Sequence, residues 1–202
     1  MRSGADKKKH PKLLLMKLLP LAVLAACLAL VSCQNGNQRP LSQKEPSAPP
    51  TLLNQRLADH QGDTILLGPI DRHGLEQPPF SAWFDPGYRQ YRVDAASLEG
   101  LAPKLQGVDI LVFLGTWCSD SQYEIPHLFK ILDHLGYDSQ NLTMVALSNQ
   151  PDFYKRSPQG EEENWNIEYV PTVILLKEGN EIGRITESPL ESLEIDLSAM
   201  LR

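Results

Sequence analysis

Polar and apolar positions divide this chain into stretches of different period. VDILVFLG, residues 108–115, is an almost unbroken apolar run. Such a run fits a central strand covered on both faces. SDSQYEIPHLFKILDHLG follows with helical spacing: Ile125, Leu128, Phe129, Ile131, Leu132 and Leu135 fall on one face, and Gly136 supplies the stop. NLTMVALS, 141–148, is a second buried-type strand, parallel to the first if the helix is the crossover between them. After a polar loop with Pro151, Pro158 and Gly160, PTVILLKEGNEIGRITES predicts two strands around the turn Glu178-Gly179-Asn180. In the tail, Leu190, Leu193, Leu197, Met200 and Leu201 predict one helical stripe. Upstream, DTILLGPI predicts a strand, and DAASLEGLAPKL a short helix opened by Asp94. The order is β-α-β, then β-β-α. That is an α/β class with a central mixed sheet flanked by helices and an N-terminal extension.

The first 32 residues follow a different pattern. MRSGADKKKHPKLLLMK is basic, and the fifteen residues LLPLAVLAACLALVS after its start carry no charge. A basic start, a short apolar run and small residues at its end describe a secretory signal. The alternative, a transmembrane anchor, needs a longer run to cross a hydrocarbon core of about 30 Å. Leu30-Val31-Ser32-Cys33 resembles the bacterial lipobox. That resemblance implies cleavage before Cys33, a lipid on its sulfur, and firm attachment through several acyl chains. It also implies a location in the bacterial cell envelope, facing the periplasm. Gln34 in place of an Asp favours the outer membrane over the inner. Residues 33–52 are polar and rich in Pro, Ser, Asn and Gln, and read as a flexible tether. Residues 53–202 then form one domain, an extension over 53–107 and a core over 108–202.

Cleavage changes the charge and the cysteine inventory. The whole chain has 19 basic and 25 acidic residues, net −6. Residues 1–32 hold six of the basic and one of the acidic residues, so the remainder is at −11. An acidic body of that kind argues against a nucleic-acid partner. Of the three cysteines, Cys27 leaves with the signal and Cys33 becomes a thioether. Cys118 remains as the one thiol, and a single thiol in an exported protein is either buried and inert or there to react. No cysteine pair of metal-binding type is present in the sequence, and no cofactor or metal is expected. His127 and His134, one heptad apart, read as packing residues rather than ligands.

Cys118 lies in GTWCSDSQYEIP, at the junction between the central strand and its helix. Pro126 follows it by eight residues, Tyr169-Val170-Pro171-Thr172 precedes the two paired strands, and Lys177-Glu178-Gly179 and Gly183-Arg184 lie within them. In this order these features resemble the thioredoxin superfamily over residues 108–201. A closer similarity, over most of 64–200, is to a bacterial group of lipoprotein-type thioredoxin family proteins. It rests on the single-cysteine WCxDS motif, the segment Phe80 to Phe84, and the loop Gly160 to Glu162. The resemblance implies a thioredoxin-like fold and Cys118 as a nucleophile in disulfide exchange. It also implies Trp117 packed beside the sulfur and a cis Pro171 that, with Val170, offers backbone to an extended substrate.

Two departures matter. Ser121 occupies the place of a second thiol, so two-step dithiol reduction cannot finish within the protein. Where many thioredoxins hold a buried Asp six residues before the Cys, this chain has Val112. Proton transfer then falls to water, Asp120 or Glu124. A helix N-terminus favours thiolate; Ser121 is a candidate donor to it, while Asp120 opposes it as a like charge. Asp120 reads equally as a favourable helix-start residue, and Ser119 as a cap.

The reading these residues support is monothiol disulfide exchange, reductase- or isomerase-like. Its partners would be thiol- or disulfide-bearing envelope proteins or a small thiol. A non-catalytic binding module using the Pro171 groove is the alternative. A thiol peroxidase ranks lower, because Gly115 stands where such enzymes carry Thr, with Thr116 one place late. Phe80, Trp83, Phe84, Tyr88 and Tyr91 read as local core or a lid, with peptide binding as the other possibility.

Overall fold

The apolar run Val108–Leu114 lies inside a six-stranded sheet, with a strand paired on either side of it. The computed structural model describes residues 52–202, so the signal, Cys33 and nearly all of the tether lie outside the described residues. In chain order the elements are β1 (Gln55–Ala58), β2 (Thr64–Ile70), α1 (Arg72–Leu75), α2 (Ser81–Gln90), β3 (Val108–Leu114), α3 (Ser119–Leu135), β4 (Leu142–Ala146), β5 (Thr172–Lys177), β6 (Asn180–Thr186) and α4 (Leu193–Met200). The strands are ordered β1-β2-β4-β3-β5-β6. β3 and β4 run parallel with Val112 opposite Met144, and β3 and β5 run antiparallel with Val112 opposite Val173. The units β3-α3-β4 and β5-β6-α4 make the thioredoxin-like core that the hydrophobic pattern predicts, and β2 adds to it antiparallel to β4.

Alternation along β3 sends its side chains into two cores. Ile110, Val112 and Leu114 join the larger one, with Phe80 and Phe84 near α2, Ile125 and Leu128 of α3, and Leu197 of α4. Leu111 and Phe113 join the other, with Val145, Leu147, Val170 and Ile174. The second face is covered by the connection 147–171 rather than by an α-helix. Pro151, Pro158 and positive φ at Lys155, Gly160, Asn164 and Asn166 keep this segment from forming one. The segment is held by a buried carboxylate. Glu162, 7% exposed, accepts from the Ser157 backbone N–H at 3.0 Å and from the Ser157 hydroxyl, and lies 3.6 Å from Arg156. The Gly160–Glu162 stretch is thus a latch closing the loop.

α3 starts where the sheet ends and stops at Gly136, whose φ of 64° is open to glycine. Tyr137 N–H then reaches back to the Leu132 carbonyl at 3.0 Å. Pro126 sits within α3 against α2, and a Cβ on Gly87 would lie 3.0 Å from the proline ring, so Gly87 permits the close packing. Phe84 of α2 meets Phe129 of α3 edge to face at 5.5 Å. The aromatic segment is therefore core: Phe80 and Phe84 are buried, while Trp83, Tyr88 and Tyr91 pack against them at the edge. The turn of the β5–β6 hairpin is the pair Glu178-Gly179, both at positive φ, as a two-residue hairpin turn requires.

Two expectations need correction. Residues 94–105 do not form an α-helix. Asp94 does accept from the Ala96 and Ser97 N–H groups, but the chain continues in turns to a short 3-10 helix, Ala102–Leu105. Gly100 at φ 72° and Pro103 break the helix, while Leu98, Leu101 and Leu105 still reach the core. Leu190 is 96% exposed, because Ser192 caps α4 and starts it after that residue. Strand β1 and helix α2 lie outside the predicted elements: β1 is exposed along most of its length at the sheet edge, and α2 contains Pro86 and Gly87.

Candidate active site

The end of β3 delivers the chain to α3 through Gly115-Thr116-Trp117-Cys118, and each of these residues is fixed by a contact. The Gly115 N–H donates to the Ser121 hydroxyl oxygen at 3.1 Å. A Cβ on Gly115 would lie 2.6 Å from the Trp117 ring, so glycine there lets the indole fold back over the strand end. The indole N–H donates to the Leu147 carbonyl at 2.8 Å, and the ring lies 5.5 Å from that of Tyr154. Thr116, buried, accepts from the Leu66 N–H at 3.1 Å and ties β2 to the site. Its carbonyl accepts from the Gln122 side chain at 2.8 Å.

Cys118 is the N-cap residue of α3, with extended backbone and no side-chain capping bond. Ser119 is accordingly the first helical residue, and the capping position expected for it belongs to Cys118. The half-buried thiol donates to the Val170 carbonyl at 3.1 Å, and its sulfur lies 3.8 Å from the Asp120 carboxylate. Val170 is buried, and its bond to Pro171 is cis. Thus Trp117, Cys118, Asp120, Val170 and Pro171 come together. Ser121 is adjacent but faces elsewhere: it is fully buried, its oxygen accepts from Gly115, and it makes no hydrogen bond to the sulfur. Its small volume lets α3 pack against the strand end. Cys118 is the one cysteine among the described residues.

Aromatic side chains border Trp117 and the Val170-Pro171 stretch. Tyr154 and Tyr169 are about half exposed, and the Lys155 ammonium lies over both rings, at 5.1 and 5.0 Å. A hollow of about 530 Å³ beside Trp117 is also lined by Asp59, Trp83 and Asn149. Asp59 is held below the ordinary carboxylate range chiefly by the Asn149 amide, 2.7 Å away, and also by the Gln61 and Asp63 backbone N–H groups. A second hollow, of about 410 Å³, lies at the other end of α3 around Arg72 and Asp133.

Behind Asp120 lies a cluster that sequence reasoning reached only in part. Glu124, one turn along α3, is 9% exposed and accepts no hydrogen bond from the described residues. Burial, then the charges of Asp120 and Glu194, push its carboxyl up to about 7. Glu194 of α4 is 1% exposed and accepts from the Tyr91 hydroxyl at 2.9 and 3.0 Å and from the Asp94 N–H at 3.1 Å. His127 stacks on Tyr91 at 4.1 Å and meets Tyr123 edge to face at 4.5 Å; burial pulls its imidazole below the usual range. Glu194 escaped notice because one acidic residue beside Leu193 reads as the polar side of an amphipathic helix. The signal available was its place between two core leucines, Leu193 and Leu197.

No family model and no curated protein matches this chain. Solved structures with a similar arrangement are distant. A protein of unknown function from Pseudomonas aeruginosa is 18% identical, with a TM-score of 0.41, over 60% of this chain and 81% of its own. A thioredoxin from Fasciola hepatica is 18% identical, with a TM-score of 0.29, over 46% and 80%. Mitochondrial thioredoxin 3 from Saccharomyces cerevisiae, in its oxidised form, is 21% identical, with a TM-score of 0.27, over 49% and 85%. The chemistry of the site rests on this chain's own residues.

Proposed function

We propose that this chain is an exported, lipid-anchored protein of the thioredoxin-like fold that carries out thiol–disulfide exchange with one sulfur. The observation that carries the reading is the placement of Cys118: a partly accessible thiol at the N-terminus of a 17-residue helix, against the carbonyl that precedes cis-Pro171. The helix end presents unpaired backbone N–H groups that favour thiolate. The Cys118 thiolate attacks a disulfide, forms a mixed disulfide with one half and releases the other as a thiol. Without a second sulfur in the site, a small thiol or a partner's thiol then attacks the mixed disulfide and frees Cys118. The Trp117 ring, 5.5 Å from that of Tyr154, borders the site, and Val170 and Pro171 offer backbone to the incoming chain. Attachment through Cys33 in the lipobox-like sequence would hold the domain at the bacterial envelope, at the outer membrane in preference to the inner.

The test is trapping. A soluble form starting at Gln34 is mixed with a dialkyl disulfide and with envelope extract, and adducts are read by mass. Adducts on Cys118 that are absent in Cys118→Ala support exchange. A thiol that reacts only after unfolding overturns it. The existing Sγ–H···O bond to Val170 and the half-exposed Tyr154 and Tyr169 favour a second reading, a groove that grips an extended partner without chemistry. In that case partners remain bound to Cys118→Ala. Attachment is tested separately, by metabolic labelling with a fatty acid and by its loss in Cys33→Ala.

A further inference from the structure

Three carboxyl groups, those of Asp120, Glu124 and Glu194, act on one another beside this part of α3. The Asp120 carboxylate is 3.8 Å from Sγ. Glu124 is its i+4 neighbour on α3, and side chains at that spacing lie side by side, about 5–6 Å apart at Cβ. Behind Glu124 is Glu194 of α4, which is already satisfied by the Tyr91 hydroxyl and the Asp94 N–H. Of the three, Glu124 is more than nine-tenths buried and accepts no hydrogen bond from the described residues. The remaining groups facing it offer no cation. On α3 these are the Tyr123 ring and His127, whose burial disfavours its charged form; after α2 it is the Tyr91 phenol. An ionised carboxylate beside two others, with no protein donor or cation and only slight access to water, is unfavourable. A proton on Glu124 relieves the repulsion along the whole row.

We propose that Asp120 and Glu124 form the proton relay of Cys118, with Glu124 storing the proton and Asp120 passing it to and from the sulfur. This inference rests on the exchange reading above and supplies its acid–base partner. In the forward step, the Cys118 S–H proton passes to Asp120 and on to ionised Glu124. The sulfur electron pair forms the new S–S bond as the substrate S–S bond breaks. The leaving sulfur takes the electrons of the broken bond. It then takes the proton back from Glu124 through Asp120, and both carboxyl groups end as they began. One disulfide and one thiol become one mixed disulfide and one thiol, so no external oxidant or reductant enters. Asp120 meets the reacting sulfur directly, whereas Glu124 is a positioning residue that acts through it. The nearly even protonation of Glu124 at neutral pH suits both halves of the cycle.

The relay predicts a dependence on the leaving group. A dialkyl disulfide releases a basic thiolate that needs the proton, and a diaryl disulfide releases a weakly basic one that needs it little. Second-order rate constants of the Gln34–Arg202 protein with each probe are measured from pH 5.5 to 8.5. In the wild type, the ratio of dialkyl to diaryl rates should show an inflection near pH 7. In Glu124→Gln that ratio should fall by about ten-fold or more, the low end of the general acid–base range, and the inflection should vanish. Asp120→Asn should behave in the same way, and Glu124→Asp should recover part of both. A ratio that is flat in the wild type, or equal in wild type and Glu124→Gln, overturns the relay while leaving exchange intact. Absence of any Cys118 reaction with either probe overturns exchange itself and the relay with it.

Discussion

Replacing Glu124 by Gln should change the pH dependence of stability in a direction fixed by the burial of its carboxyl. An ordinary Glu ionises near 4.5, and this one is pushed up to about 7, first by burial and then by Asp120 and Glu194. Below 4.5 the folded and unfolded chains both hold the proton, and Glu124 contributes no pH dependence. Between 4.5 and about 7 the unfolded chain has lost the proton while the folded chain keeps it. Folded protein therefore binds more protons in this window, and its stability declines as pH rises. Above about 7 the folded state carries the charge too, and the loss is complete. A ten-fold change in acidity corresponds to about 1.36 kcal/mol, which sets a ceiling of about 3 kcal/mol. The carboxyl keeps some contact with water, which reduces the cost to about 1–2 kcal/mol between pH 5 and pH 8. Gln has nearly the same shape and does not titrate. Urea unfolding of the Gln34–Arg202 protein and its Glu124→Gln variant at both pH values isolates the group, since the titration of His127 is common to both to first order. The variant should gain on the wild type by about 1–2 kcal/mol more at pH 8 than at pH 5. An equal difference at the two pH values would falsify the claim that Glu124 is pushed up. A gain that is larger at pH 5 would mean that its charge is stabilised.

Further outcomes follow from single contacts. Gly115→Ala drives a methyl toward the Trp117 ring, 2.6 Å away, and should cost about 1–3 kcal/mol in urea unfolding while exposing Cys118 to faster alkylation. Tyr91→Phe leaves the buried Glu194 with only the Asp94 N–H as donor, and thermal unfolding should report a loss of about 1–3 kcal/mol. Phe84→Ala removes a ring that is 1% exposed and packed on Phe129, for an expected loss of about 3–5 kcal/mol. Ser157→Ala takes one donor from Glu162. Limited proteolysis within 148–168 should quicken while the global unfolding midpoint shifts little, and an unchanged cleavage rate would show that the latch holds nothing.

Much of the core was legible because burial leaves a simple trace. β3 is apolar along both faces apart from Asp109, and a short run of this kind suits a central strand. α3 shows a clean helical face ended by Gly136, and the hairpin is marked by Glu178-Gly179. Edge strand β1 faces water along most of its length, so its pairing is a backbone matter that leaves little pattern. α2 holds Pro86 and Gly87, which read as loop in isolation; they are tolerated because Gly87 meets the Pro126 ring and Phe84 anchors the helix. The 94–105 segment has helical spacing of its leucines but also Gly100 and Pro103, and the backbone prevailed over the pattern. In the site, the contact of Cys118 with Val170 spans 52 positions and was reached through resemblance, not periodicity. The orientation of Ser121 was not readable at all. It depends on which side of the first helical turn faces the Gly115 N–H.

That orientation bears on the proposed one-sulfur exchange. A hydroxyl turned to the thiol would lend a hydrogen bond to thiolate, and the site would then store its reactivity beside the sulfur. Here the Ser121 hydroxyl is used to fasten the helix start to the strand end. The polar partners left to Cys118 are a backbone carbonyl, which can only accept, and Asp120. Neither donates a hydrogen bond to the sulfur. In the proposed exchange the S–H proton needs somewhere to go when a disulfide arrives. The strand supplies no acid for this, since Val112 lies in the apolar core. Among the described residues, the buried carboxyl group pushed up to about 7 is Glu124, one helical turn beyond Asp120. On the proposed reading, Ser121 in place of a second thiol and the acids Asp120 and Glu124 are two parts of one arrangement. Resolution then falls to an external thiol, and the proton to the two acids.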